Sequence, residues 1–191
     1  MKPMPLFAAM ATASLFASTA AADSIVETFD GGTINTHNGT TVVWADGGGT
    51  LPWAPGVSGL LPGDHYESGQ DLDHGQTSTL NLTVMIGPSG GTLEFDYGLG
   101  SEPGFDFFRL FLDGPQIFAD SGTTTSSFGP FALTPGTHVI SFQYEKDQSV
   151  SSGADAVAID NVVVTGLAPE PTSLAMLGLG GLAVMRRRRA N

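Results

Sequence analysis

In Leu80-Asn81-Leu82-Thr83-Val84-Met85-Ile86 the apolar residues fall at every second position, and a period of two is the spacing of side chains on one face of an extended strand. The same alternation runs through Leu93, Phe95 and Tyr97, and through His138, Ile140, Phe142 and Tyr144. Strands with one dry and one wet face belong to antiparallel sheets. Phe105 to Leu112 is apolar on both faces and reads as a central strand covered on each side. Val157 to Val164 is a β-branched run that reads as another well-buried strand. Turn chemistry separates these runs, in Pro88-Ser89-Gly90-Gly91, Asp113-Gly114, Asp120-Ser121-Gly122 and Thr134-Pro135-Gly136-Thr137. No helical periodicity competes. The pattern predicts one all-β antiparallel sandwich over residues 23–168, with Leu80–Ile86 pairing with Leu93–Tyr97 and Phe105–Leu112. Gly47 to Gly75, rich in Gly and Pro and without periodicity, is expected to be a long surface loop.

The charge distribution narrows what such a domain binds. Of the seven bases, Lys2 stands at the N-terminus and four arginines at the C-terminus, so residues 23–168 hold two bases, Arg109 and Lys146, against eighteen acids. Phosphate neutralisation needs Lys and Arg, which excludes nucleic acid as a partner and disfavours anionic membrane. With no Cys, disulfides, thiol nucleophiles and thiolate metal sites are excluded as well.

Both ends read as addresses. Lys2, the apolar run Leu6–Phe16, and the small residues Ala20 and Ala22 before Asp23 form a secretory signal peptide over 1–22, handled by the Sec machinery and cleaved ahead of Asp23. The apolar run is too short for the roughly 20 residues of a membrane span. At the other end, Pro169-Glu170-Pro171-Thr172 precedes an apolar stretch, 173–185, and then Arg186, Arg187, Arg188 and Arg189. As a helix that stretch covers about 20 Å against a hydrocarbon core of about 30 Å. It predicts a short hydrophobic helix in transient contact with the inner membrane, with the arginines held on the cytoplasmic side.

This order of motif, short transmembrane segment and basic cluster over 169–191 resembles the PEP-CTERM sorting signal of Gram-negative bacteria, with Pro169, Glu170 and Pro171 as its namesake residues. The resemblance implies an exosortase as processing partner and delivery to the outer cell surface or the exopolysaccharide matrix. The alternative is a weak C-terminal anchor. A second resemblance lies in Ser101-Glu102-Pro103-Gly104-Phe105-Asp106, Phe111-Leu112-Asp113-Gly114, Tyr144-Glu145-Lys146-Asp147 and Ala158-Ile159-Asp160-Asn161-Val162. These segments are similar to a jelly-roll module of bacterial secreted proteins, of the MAM-like and concanavalin-like kind. Such modules accompany varied anchors and enzymes as non-catalytic parts.

Site residues divide by chemistry. His138 stands at a strand start without a nucleophile partner, and accidental carboxylate pairs are easy among so many acids. The expectation is therefore no enzymatic activity. Asp64, His65, Asp71, Asp73 and His74 supply five potential ligands, but their spacing matches no zinc pattern and an exposed polar loop explains them equally. The jelly-roll resemblance implies a calcium ion clipping the first and last strands together, with Asp30 and Asp160 as the positions that hold it. The oxygen chemistry suits calcium, and burying Asp160 among Val157, Ile159 and Val162 is costly without a cation or hydrogen-bond donors. Trp44 and Trp53 flank the Gly-rich loop, where they either stack on sugar rings or pack in the core. The 146–155 loop reads as a turn ordered by its Asp and Ser side chains, or as a polar binding edge. Together these readings give an exported, non-catalytic, structural or adhesive protein with carbohydrate as its ligand. The alternatives are a hydrolase of extracellular polysaccharide and a protein-binding subunit of a surface assembly.

Overall fold

The computed structural model describes residues 23–34, 42–56, 58–69 and 72–168. The signal segment with Ala20 and Ala22, the sorting segment with Pro169, Glu170, Pro171 and Arg186–Arg189, and Asp71 lie outside the described residues. The chain forms β1 (Asp23–Glu27), β2 (Val42–Gly49), β3 (Ala54–Pro55), β4 (Tyr66–Glu67), β5 (Thr77–Ile86), β6 (Gly91–Gly100), β7 (Phe107–Leu112), β8 (Gln116–Ser121), β9 (Thr123–Leu133), β10 (Gly136–Glu145) and β11 (Ala156–Leu167). A 3-10 turn at Asp30–Gly32 is the only helical element among the described residues.

The strands make the two layers of an antiparallel sandwich. One layer runs β2-β5-β10-β7-β8. The other runs β9-β6-β11, with β1 and the β3-β4 pair side by side along the far edge of β11. A single pairing, Leu167 with Ile86, joins the layers at one corner. The alternating runs are strands with their apolar residues inward: Leu80, Leu82, Val84, Leu93, Phe95, Ile140 and Phe142 are all buried. Aromatic contacts bridge the layers, Phe95 of β6 meeting Phe142 of β10 at 5.2 Å and Tyr97 meeting Phe108 of β7 at 5.6 Å.

Three expectations are corrected. β5 pairs with neither β6 nor β7; it lies between β2 and β10, β7 lies beyond β10, and β6 lies in the opposite layer between β11 and β9. Sequence neighbours face each other across the core because their turn crosses from sheet to sheet. β7 is covered on one face only: Phe108 and Leu110 are fully buried, whereas Phe107, Arg109 and Phe111 lie half-buried on the outer face. The Arg109 guanidinium stacks over the Phe107 ring at 4.5 Å, so an aromatic here covers a cation on the surface. Lastly, the stretch 47–75 is not a simple surface loop. It contributes β3 and β4, buries Trp53, Leu61, His65, Glu67 and Leu72, and straps the outer face of the β6–β11 layer. A Cβ on Gly98 of β6 would come within 2.3 Å of the Leu60 carbonyl, so glycine there is what lets the strap lie flat on the sheet.

His138 has a structural post at the pole where β10 begins. Its Nδ1 lies 2.7 Å from Asp113 Oδ2 and its Nε2 lies 2.7 Å from the Thr134 carbonyl. Both ring nitrogens face acceptors, an arrangement satisfied only by the imidazolium, which donates from each. Burial works against that charge, but the Asp113 hydrogen bond, the Thr134 carbonyl and the Asp113 charge outweigh it and raise the His138 pKa above its ordinary 6.5. Burial likewise opposes Asp113, yet the Val139 N–H and His138 hold its pKa below the ordinary 3.8. The His138 contribution is therefore complete below about pH 6.5 and fades as pH rises through the raised folded value; the Asp113 contribution is present above its unfolded pKa and fades in acid. The clasp is strongest between roughly pH 4 and 6.5. His138→Gln is expected to remove on the order of 1 kcal/mol at pH 5.5 and much less at pH 8.5, read from urea midpoints at the two pH values.

Candidate functional site

Outward-facing residues of β6, β9 and β11 line a groove beside the strap. The register places Asp160 of β11 opposite Asp96 of β6, and Asp96 opposite Ser127 of β9, so three polar residues stand in one row across three strands. The β11 ladder shifts just beyond Asp160. There Asn161 adopts φ +49°, a left-handed conformation that Asn tolerates, and the bulge keeps its side chain on the groove face. Asn161 Nδ2 donates to Asp96 Oδ2 at 2.9 Å and Ser127 Oγ donates to Asp96 Oδ1 at 2.5 Å. Two adjoining cavities, of about 340 and 260 Å3, share Asp96, Ser127 and Asn161. The first is walled by Leu61 and Pro62 of the strap, and the second runs on past Glu94 and Val163. No base lines either cavity.

Asp160 sits at the strap end of this groove. Burial raises its pKa, the Asn161 N–H opposes the rise, the negative charge of Asp96 adds to it, His65 opposes it and Asp30 adds again. Asp30 and Asp160 are thus near enough to feel each other across the β1–β11 junction. The Asp30 turn is itself fixed there: Thr28 Oγ1 donates to Asp30 Oδ2 at 2.8 Å, and the Gly31 N–H donates to Asp64 of the strap at 2.8 Å. The two bases of the domain are engaged elsewhere, Arg109 with Glu145 at 2.6 Å and Lys146 with Asp155 at 2.5 Å. Asp30 is exposed and Asp160 half-buried, and hard carboxylate oxygens with no Lys or Arg beside them suit calcium. Among the described residues no three His, Asp or Glu side chains gather as a metal cluster, so a calcium held by Asp30 and Asp160 would complete its shell with backbone carbonyls and water.

The other sequence-derived residues are placed as follows. Trp53 is 5% exposed and its ring meets Phe142 edge-on at 6.5 Å. Trp44 is half-buried, stacked on Phe142 at 6.0 Å with its edge toward Phe29 at 5.7 Å. Their ring faces pack the core, the alternative given for them above. Of the Asp64–His74 group, Asp64, Asp73 and His74 are exposed, whereas His65 is buried with Nδ1 on the Gly63 carbonyl at 3.0 Å and Nε2 3.4 Å from Glu67. Asp23 pairs with Leu167, so the start of β1 and the end of β11 leave the sandwich at one pole. Asp96, Ser127 and Glu94 were invisible to sequence reasoning because they alternate outward like any solvated strand face. The one signal was the polar pair Asp160-Asn161 inside a β-branched run, which marks a break in the ladder.

No curated protein matches the chain. The K1 cleaved adhesin domain of Lys-gingipain from Porphyromonas gingivalis W83 superposes with a TM-score of 0.52 at 13% identity, covering 76% of this chain and 99% of that one. The CBM22-1 xylan-binding domain of Paenibacillus barcinonensis Xyn10C gives 0.43 at 12% identity over 80% of this chain and 100% of its own. The family 11 carbohydrate-binding module of Clostridium thermocellum Lic26A-Cel5E gives 0.39 at 11% over 76% and 97%. At such identities the first likeness shows a shared fold and nothing further. Residues 167–189 match the PEP-CTERM protein-sorting motif, and the protein is an exported, cell-surface-directed chain that carries its β-sandwich on that sorting signal.

Proposed function

We propose that the sandwich is a non-catalytic binding domain, released by an exosortase to the outer surface or extracellular matrix, that holds an uncharged polysaccharide in the β6–β9–β11 groove. The observation that carries this reading is the Asp96–Ser127–Asn161 network on the floor of two adjoining cavities. Its oxygens are prearranged to accept hydroxyl protons, while Leu61 and Pro62 offer an apolar wall to the C–H face of a sugar. Glu94, Asp96 and Asp160, with no base beside them, repel uronate and sulfate groups.

In a binding screen of neutral and acidic oligosaccharides, paired with a turnover assay on the same set, the protein is expected to retain neutral chains and to leave them intact. Asp96→Ala is expected to weaken that binding about 10- to 100-fold, the worth of hydrogen bonds to one charged group. Asn161→Gly removes the amide while a glycine accepts the same backbone conformation, so its smaller loss reports the side chain and not the bulge. Failure to bind any neutral oligosaccharide overturns the reading.

One observation favours a second reading, a hydrolase of matrix polysaccharide. Asp96 and Asp160 are cross-strand partners inside the groove, and the environment that raises the Asp160 pKa is of the kind that sets a general acid apart from its partner carboxylate. Against it, Ser127 and Asn161 each donate to one Asp96 oxygen, which blunts the carboxylate as nucleophile or base while leaving each oxygen a lone pair for a sugar hydroxyl. Turnover abolished by Asp160→Asn would select the hydrolase.

A further inference from the structure

Lys146 is the sole lysine between Asp23 and Ala168, and its side chain is 1% exposed. Its Nζ lies 2.5 Å from Asp155 Oδ2 and donates to Ser151 Oγ at 2.9 Å. The Asp155 carboxyl is held in place from its other side, where Oδ1 accepts the Ser152 N–H at 3.1 Å. Asp155 itself sits at φ +49°, a conformation that costs energy for a non-glycine residue. A third carboxylate closes the corner. Asp106 is fully buried; its Oδ1 accepts the N–H of Asp147, the residue after Lys146, at 2.8 Å, and its Oδ2 is buried without a hydrogen-bond partner. The buried Tyr144 hydroxyl is also unpartnered, and after burial itself the charges of Asp106 and Asp155 raise its pKa, which places phenol and both carboxylates in one desolvated corner.

Passage of one proton from Nζ to the carboxyl it touches turns this contact into an amine facing an acyl carbon. Asp155 Cγ lies one bond beyond the oxygen that Nζ touches, close to the roughly 3–3.5 Å separation of a near-attack geometry. We propose that Lys146 and Asp155 condense to an intramolecular isopeptide bond, a covalent cross-link closing the 146–155 loop of this cysteine-free exported domain. The Lys146 Nζ lone pair adds to Asp155 Cγ, and the developing negative charge on Oδ1 is met by the Ser152 N–H. Two of the three ammonium protons end on Oδ2, which leaves as water. The third remains on the amide nitrogen. Asp106, with its buried and unpartnered Oδ2, is the acid–base group that carries a proton between the two, and no oxidant, metal or co-reactant enters the balance.

The test is peptide mapping by mass spectrometry of the secreted full-chain protein. The peptides that contain Lys146 and Asp155 are expected to be lighter by one water, with Lys146 inert to amine acetylation after denaturation. Lys146→Arg keeps the ion pair but forms no cross-link, so its peptides keep their full mass. Asp155→Asn loses ammonia in place of water and converges on the wild-type product mass, a result that an ordinary ion pair does not give. Asp106→Asn is expected to slow cross-link formation about 100-fold or more, with the fold checked by melting. Full-mass wild-type peptides with an acetylatable Lys146, from protein shown to be folded, overturn the proposal.

Discussion

Phe142→Ala is expected to lower the unfolding free energy by about 3–5 kcal/mol, the largest single-residue effect in the sandwich. Phe142 lies at the middle of β10, between Leu80 of β5 and Leu110 of β7 in its own layer, and none of it is exposed. Its ring also touches three others, stacking with Trp44 and meeting Trp53 and Phe95 edge-on. Truncation removes the transfer free energy of the ring and leaves a cavity walled by rigid aromatics, which collapse poorly. Against a typical total of about 5–15 kcal/mol, that loss is about a fifth or more of the stability of the domain. Phe105→Ala is the matched control. Phe105 is 56% exposed on the turn before β7, and its removal is expected to change stability by about 0.5 kcal/mol or less. Urea denaturation of the two variants checks the contrast. Equal midpoints would mean that the aromatic cluster is not the centre of the core.

That contrast also shows what the chain discloses before it folds. Phe142 alternates with polar neighbours and could be placed inward from the sequence, because burial on one face of a strand writes a period of two into the residues. β9 wrote no such period. Its segment Thr123–Leu133 is an edge strand whose inward residues are Phe128, Phe131 and Leu133, the first two separated by Gly129 and Pro130, with a ladder shift opposite Leu93 and Phe95. β8, at the other open edge, is half-buried on both faces and equally silent. Pairing order was hidden for a different reason: alternation tells which face of β5 is dry but not which strand lies beside it. The strap over residues 58–65 depends on Gly98 and Gly100 accepting Leu60, and a glycine in a strand looks the same whether a backbone covers it or not. In the groove, Asp160 and Asn161 could be singled out because they interrupt an apolar run. Asp96 and Ser127 could not, since only register makes a site of them.

If Asp30 and Asp160 share a calcium ion, its removal is the second large effect, and the pH dependence separates a bound ion from a general salt effect. With Asp30 and Asp160 sharing a calcium, EDTA is expected to lower the melting temperature by roughly 10 °C, from about 2.7 kcal/mol for an ion at a hundredfold its Kd and about 4 °C per kcal/mol in a domain of this size. Added calcium restores it. Without the ion, burial and the charges of Asp96 and Asp30 raise the Asp160 pKa in the folded state. A carboxyl raised in this way favours the fold below its unfolded pKa, and that advantage is lost as pH rises through the folded value. The calcium-free protein therefore loses stability as Asp160 ionises, whereas a divalent ion stabilises the ionised form and reverses the trend. The gap between calcium-loaded and chelated melting curves should accordingly be wide at pH 7 and close as pH falls below the carboxylate range. Asp160→Asn removes the charge the ion needs, so it abolishes the EDTA effect, and it also removes the like-charge repulsion. The variant should melt above the chelated wild type at pH 7. A wild-type transition that EDTA leaves unmoved at neutral pH would exclude the ion, and with it the idea that the acidity of this domain is balanced by calcium at the junction of its first and last strands.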